Sequence, residues 1–211
     1  MTDEKEVPTP DEDGGRTNKV RMSRRTYLKL GAVSVGVGGS QFIADRAAAT
    51  AQAPYGGESH AIPGRVEAED FDEGGEDVAY NDAGNGNKGG AYRDTDVDIE
   101  VTDDESGEYN IGWIREGEWL EYTVDVTDAT VTYDVNIRVA GKNDAAGGIS
   151  LSLDGQTVSS VDLPDAGGWQ DWTTVTLTDV SVPSSGEQVS AWTSTTKTST
   201  STGSSSSLTG R

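Results

Sequence analysis

The sequence predicts an all-β chain, an antiparallel β-sandwich of the jelly-roll type. Three observations lead there. Apolar residues alternate with polar ones in several separate runs, the period of half-buried strands. No stretch sustains helical spacing, and 27 glycines supply the turn signals between the runs. One of those breaks is Asp154-Gly155, a strong hairpin signal.

The strands follow in order. Arg65–Phe71 alternates and reads as the first. Trp119–Val126 places Leu120, Tyr122, Val124 and Val126 on one face, and Val131, Tyr133, Val135, Ile137 and Val139 form a second alternating set. Ile149, Leu151 and Leu153 lead into Asp154-Gly155, and Val161–Leu163 and Val175–Val182 supply more strand. Many short strands with one apolar face pack as two sheets face to face. Asn81–Gly90 and Ala140–Gly148, rich in Gly, Asn and Asp, read as loops at the sandwich edges.

Composition excludes several functions. With no Cys and a single His, His60, the chain has no disulfide framework, no thiolate metal site and no serine triad built in the usual way. A net charge of −21 repels nucleic-acid backbones. Low hydrophobicity with high charge is also a signature of disorder, but here the alternating runs argue for a folded domain. Acidic residues are spread along the chain and only 6 residues are Lys. That balance suits a protein working in high salt, where carboxylates hold water and cations and the salt screens their repulsion. The sequence is read as halophilic.

The amino-terminal segment, residues 1–53, reads as an export signal with its polar flank. Ser23-Arg-Arg-Thr-Tyr-Leu-Lys29 precedes a Gly/Ala-rich apolar run from Leu30 to Ala44, followed by small residues at Ala47-Ala-Ala49 and Ala51-Gln-Ala53 that suit cleavage. The run is too weakly apolar to anchor in a bilayer, and its glycines disfavour a helix of the folded domain. The paired arginines resemble a twin-arginine signal. Removing residues 1–53 leaves 8 basic and 30 acidic residues, a charge of −22, so the acidity belongs to the exported part. Residues 54–61 read as a linker and 62–190 as the domain.

Within that domain the aromatics and carboxylates carry the functional signal. Trp113 ends a Tyr109–Ile114 run, and Trp169 follows Gly167-Gly168. A tryptophan in a Gly-flanked loop either stacks its indole on a ligand such as a sugar ring, or packs under the loop. Glu67 and Glu69 lie two apart and share a strand face. They offer oxygen ligands to a hard cation such as calcium, or form part of a solvated acidic face. Glu116, Glu118 and Glu121 offer carboxylates of the kind a glycosidase pair uses, a very weak signal among 37 acidic residues.

Four blocks taken together resemble carbohydrate-binding module family 6: Ile62-Pro-Gly-Arg-Val-Glu-Ala-Glu-Asp-Phe71, Gly89-Gly-Ala-Tyr-Arg-Asp-Thr-Asp-Val-Asp-Ile99, Asn110-Ile-Gly-Trp-Ile-Arg-Glu-Gly-Glu-Trp-Leu-Glu-Tyr-Thr-Val124 and Gly167-Gly-Trp-Gln-Asp-Trp172. They come in the family's order. The resemblance implies a galactose-binding-like jelly roll that binds polysaccharide without catalysis. It implies that Trp113 and Trp169 sandwich a sugar. It also implies a structural Ca2+ held by Glu67, Glu69 and the backbone carbonyl of Arg93. The reading that follows is of an exported, non-catalytic, halophilic archaeal-type module, extracellular or at the cell surface. Its partner is a polysaccharide, and it is a monomer with no nucleic acid and, after signal cleavage, no membrane. Two alternatives stand: the amino-terminal piece of a secreted glycoside hydrolase or polysaccharide lyase, or a surface adhesion protein on a Ser/Thr stalk.

The tail departs from the family. From Ser190 to Arg211, 15 of 22 residues are Ser or Thr, where the resemblance implies an aromatic last strand of the form Phe-Asn-x-Asn/Asp-Trp-Phe. Read plainly, 191–211 is a linker or stalk, and the sandwich lacks its last strand. Read one base out of frame, the codons of Ala191–Gly210 permit Val-Asp-Val-Asn-Asp-Glu-Asp-Phe-Asn-Leu-Asn-Trp-Phe-Glu-Phe-Glu-Ser-Asp-Gly, which contains that strand.

Overall fold

The computed structural model describes residues 51–142, 147–195, 200–202 and 205–210, the last two stretches as backbone. The twin-arginine segment lies outside the described residues. Among them the chain forms thirteen strands: β1 (His60–Ile62), β2 (Gly64–Glu67), β3 (Tyr80–Asn81), β4 (Ile99–Val101), β5 (Tyr109–Ile114), β6 (Trp119–Val126), β7 (Thr132–Gly141), β8 (Gly148–Leu153), β9 (Gln156–Asp162), β10 (Gly168–Ser181), β11 (Gly186–Ser194), β12 (Thr200–Thr202) and β13 (Ser205–Gly210). No described helix is long and apolar enough to cross a membrane.

Three sheets assemble from them. One has the order β1-β6-β11-β8-β9 with β3 also on β6, a second runs β10-β7-β13-β2, and a third β12-β5-β4. All these pairings are antiparallel except β1 on β6, which is parallel. The expected alternation holds most clearly in β7, where Tyr133, Val135, Ile137 and Val139 are buried and their neighbours are not. In β6 the second face is covered too, because Asp72 reaches it. The Asp72 carboxylate accepts from Thr123 N at 2.8 Å and from Thr123 Oγ1 at 2.7 Å.

The core forms two buried clusters, each drawing on strands of more than one sheet. Phe71, Ile99, Tyr122, Val124 and Tyr133 lie in one buried cluster, and Val135, Ile137, Val139, Leu151 and Leu177 in another. The β8–β9 hairpin turns at Asp154-Gly155, with φ of 48° and 78°. Two successive positive φ values are what a type I′ turn requires and what an Asp-Gly pair tolerates.

Three expectations change. Residues 54–61, read as a linker, hold a short 3-10 turn at Tyr55–Gly57 and the start of β1, and Ala53 bridges Glu73. The run Arg65–Phe71 is not one strand: β2 ends at Glu67 and Ala68–Asp70 is a 3-10 turn. The sandwich does not lack a last strand in its backbone. Four of the six residues of β13 are Ser or Thr, yet it pairs with β2 and β7 as an inner strand.

An apolar pocket of about 80 Å³ is lined among other residues by Ala68, Ile111, Ile114, Ile137 and Trp192.

Candidate functional site

Trp169 is placed by a break in sheet register. Gly168 pairs with Gly141, and the next partners are Trp172 and Ala140, so residues 169–171 are extra on β10. Such a bulge turns side chains out of the ladder, and Trp169 is 43% exposed. At Gly168 a Cβ would lie 2.5 Å from Asp171 Oδ2, so a side chain there would require the exposed Asp171 carboxylate to swing aside. Gly167 before it sits at φ +99°, which favours glycine.

Gln170 fixes this bulge to the β4–β5 hairpin. Its Oε1 accepts from Asp103 N at 3.0 Å, Thr102 Oγ1 at 3.3 Å and Trp172 Nε1 at 3.1 Å. Its Nε2 donates to Glu100 Oε1 at 3.1 Å and to Asn110 Oδ1 at 3.5 Å. Asn110 is fully buried and stands on the same strand as Trp113.

Trp113 is half-buried near the end of β5, and its φ is +49°. A bulky residue in the left-handed region is strained and rare. The strain coincides with irregular pairing. Ile111 and Ile114, three apart, oppose Thr202 and Thr200, two apart. The extra residue on β5 re-aims the strand at Trp113, as bulges do beside binding sites. Trp113 and Trp169 thus stand on neighbouring elements tied together by Gln170.

Glu67 and Glu69 behave differently from each other. The strand-face argument for pairing them fails because the chain turns between them. Glu67 keeps a partly exposed side chain ion-paired to Arg65, Nε to Oε1 at 2.5 Å. Glu69 is buried, and its Oε2 has no hydrogen-bond partner. Burial, with added repulsion from Glu67 and Asp70, pushes its carboxyl up to about 7. A buried oxygen with no donor, beside a second carboxylate, fits a cation. Among the described residues no three His, Cys, Asp or Glu side chains gather around one point, so backbone carbonyls would have to complete the ligand shell. The Arg93 carbonyl accepts from Asn87 Nδ2 at 3.1 Å. The Arg93 side chain donates to the carbonyls of Glu69 and Phe71, ion-pairs with Glu73 at 3.0 Å, and stacks 3.9 Å from the Phe71 ring centroid.

The carboxylates spaced for a glycosidase have structural partners. Glu118 accepts from Ala83 N at 3.0 Å and Arg115 N at 2.8 Å, and burial raises its carboxyl above the ordinary range. Glu121 is also buried, on β6.

Sequence reasoning missed Gln170, Glu100 and Asn110. Gln170 lay inside a quoted block, directly after Trp169, but its partners are far away in sequence. It also missed Tyr92, 44% exposed with φ +62°, whose ring lies 4.8 Å from that of Tyr109 and 5.9 Å from that of Tyr55.

Comparison with known proteins agrees with this architecture. Residues 89–202 match the model of the carbohydrate binding module (family 6). The chain is 34% identical over 84 residues to the clotting factor G alpha subunit of Tachypleus tridentatus, covering 39% of this chain and 12% of that protein. It is 33% identical over 78 residues to the beta-agarase AgaA of Microbulbifer thermotolerans, covering 36% and 18%. The chain thus spans less than a fifth of the length of these curated relatives. The structure of a β-1,3-glucan-binding module of the family from Bacillus halodurans superposes with a TM-score of 0.52 at 23% identity, over 72% of this chain and 98% of that one. With the family model spanning more than half of the residues, the chain belongs to carbohydrate-binding module family 6.

Proposed function

We propose that this protein is an exported, non-catalytic polysaccharide-binding module in which Trp113 and Trp169 stack on a sugar ring. The observation that carries the reading is Trp169, lifted out of the β10 ladder by a three-residue bulge and left 43% exposed. Exposing an indole on a pinned loop is costly unless its face binds a ligand. The strained φ of Trp113 supports a second aimed indole. Sugar rings offer CH faces to both, and neighbouring polar groups read the hydroxyls. A structural Ca2+ held by Glu67, Glu69 and the Arg93 carbonyl would neutralise the buried Glu69 and hold the 3-10 turn to the loop after Gly90.

The twin-arginine signal places the working protein outside the cytoplasm, and the acidic coat suits a salt-rich exterior. A module of this kind concentrates a polysaccharide at the surface, or an attached enzyme on its substrate. The relatives cover far more sequence than this chain and include an agarase, which favours fusion to a hydrolase as the second reading. Binding to β-1,3-glucan, agarose and xylan in molar salt with Ca2+ tests the proposal. Saturable binding that Trp169→Ala abolishes supports it; no binding to any glycan of a broad array overturns it.

A further inference from the structure

We propose that the export signal is cut between Ala49 and Thr50, and that residues 50–57 stay with the mature protein as a strap built into its fold. The inference rests on the export reading of residues 1–53 and moves the end of that segment from 53 to 49.

Three Ala-x-Ala triplets of the kind a signal peptidase accepts overlap here: Ala47-Ala-Ala49, Ala49-Thr-Ala51 and Ala51-Gln-Ala53. Their composition ranks none above the others. The fold does. Ala53 N donates to the Glu73 carbonyl at 3.0 Å, and Glu73 N donates to the Ala53 carbonyl at 2.8 Å, a closed antiparallel bridge. Gln52 Nε2 donates to Asp72 Oδ2 at 2.8 Å. Asp72 is fully buried and also accepts from Thr123 on β6, so the strap reaches an inner strand through one carboxylate. The Gln52 backbone packs against Gly74, where a Cβ would lie 3.3 Å from Gln52 Cα.

Tyr55 continues the strap. Its ring centroid lies 4.6 Å from the Arg93 guanidinium carbon, a cation–π distance, and Arg93 ion-pairs with Glu73 at 3.0 Å. Ala53, Glu73, Arg93 and Tyr55 thus close a ring of contacts. All of Gln52–Tyr55 lies ahead of residues 89–202, the part that the family model matches.

A peptidase holds the residues before its cut as an extended strand, through their backbone groups. Both backbone groups of Ala53 are already paired with Glu73. On the twin-arginine reading the chain arrives folded, so the peptidase meets this bridge intact. A cut after Ala53 requires Gln52 and Ala53 to be pulled out of the fold. A cut after Ala51 places the same two anchored residues directly past the broken bond. A cut after Ala49 leaves Thr50 and the exposed Ala51 as a spacer. Water then splits the Ala49–Thr50 amide, leaving a carboxylate on Ala49 and an ammonium on Thr50. Residues 50–53 are uncharged, so the exported charge of −22 is the same from either start. Ala47–Thr50 lie outside the described residues; the anchored residues after them decide the cut.

The test is the amino terminus of the exported protein. The full chain is expressed in a halophilic host, and the exported fraction is read by intact mass and terminal sequencing. A terminus at Thr50 is expected. Any other terminus on exported protein overturns the cut and leaves export standing, whereas a chain retained in the cell from Met1 overturns the export reading with it. Ala49→Leu is expected to leave the precursor unprocessed, and Ala53→Leu to be processed as the wild type is; the reverse pattern overturns the proposal. In the exported protein Gln52→Ala is expected to lower Tm by about 3 °C or more. Hydrogen exchange at Glu73 N is expected to be slowed about 100-fold or more against an exposed loop amide. An unprotected Glu73 amide or an unchanged Tm shows the strap to be unanchored and overturns it.

Discussion

Gln170 Nε2 donates to Glu100 Oε1 at 3.1 Å across 70 residues of sequence, and through this contact the loop carrying Trp169 is held to the hairpin carrying Trp113. The same Glu100 oxygen accepts from Asn110 Nδ2 at 3.3 Å, so one carboxylate orders both elements. A binding surface gains affinity when its parts are ordered beforehand.

Gln170→Ala is therefore expected to lower Tm by several degrees and to weaken sugar binding. It removes a partner from buried Asn110 and the shared acceptor of Asp103 N, Thr102 Oγ1 and Trp172 Nε1, a loss of about 1–3 kcal/mol. Gln170→Glu is expected to be worse, because it sets a carboxylate against Glu100 where a donor stood. Thermal melts and titration calorimetry on both variants check the order. Wild-type affinity in both would show that the pinning has no part in binding.

Trp169→Ala is expected to leave Tm within about 2 °C, since an exposed side chain contributes little to the fold. Its sugar affinity should fall about 30-fold or more, the usual result of truncating a central anchor by about 2 kcal/mol. Trp113→Ala should lose affinity and also shift Tm, being half-buried. Affinity electrophoresis in gels containing glucan or agarose separates the two effects.

Calcium is expected to raise Tm and chelation to lower it. Glu69→Gln should abolish that response while making the chelated protein more stable than the chelated wild type. It removes a buried carboxylate whose Oε2 has no partner and which burial already disfavours in its charged form. Calorimetry with and without chelator measures it; a calcium response retained in Glu69→Gln would remove Glu69 from the site.

Asp104 and Arg138 predict the acid limb of stability. Arg138 Nε and Nη2 donate to the two Asp104 carboxylate oxygens at 2.8 and 2.9 Å, and the Arg138 hydrogen bonds lead the causes that hold the Asp104 carboxyl below its ordinary 3.8. A carboxyl lowered in the folded state stabilises above its unfolded value, and that stability is lost as pH falls through the folded one. Asp104→Asn should cost about 1–2 kcal/mol at neutral pH, the range of a partly exposed bidentate pair. Below pH 3 the variant and wild type should converge. Denaturant melts across that range check it.

The Asp154-Gly155 turn offers a backbone test. Gly155 sits at φ 78° with open space where a side chain would go, so Gly155→Ala meets conformational strain without a clash. It is expected to destabilise by about 1 kcal/mol, read as a small fall in Tm with unchanged sugar affinity.

Strand periodicity made β6, β7 and β8 legible, since alternation is a local consequence of one buried face, and Asp154-Gly155 made the β8–β9 hairpin legible for the same kind of reason. The motif blocks named the family. What stayed hidden was non-local. That β1 lies parallel to β6, that Glu67 meets Arg65 while Glu69 is buried without a donor, and that Gln170 answers to Glu100 all depend on partners brought near by folding.

The sequence by itself determined an acidic all-β chain with an export signal pattern and a Ser/Thr run at its end. The tertiary structure alone decided that Ser205–Gly210 of this run pairs as an inner strand between β2 and β7. Pairing follows from backbone groups that every residue carries, so even a Ser/Thr run joins a sheet once folding brings two partner strands beside it.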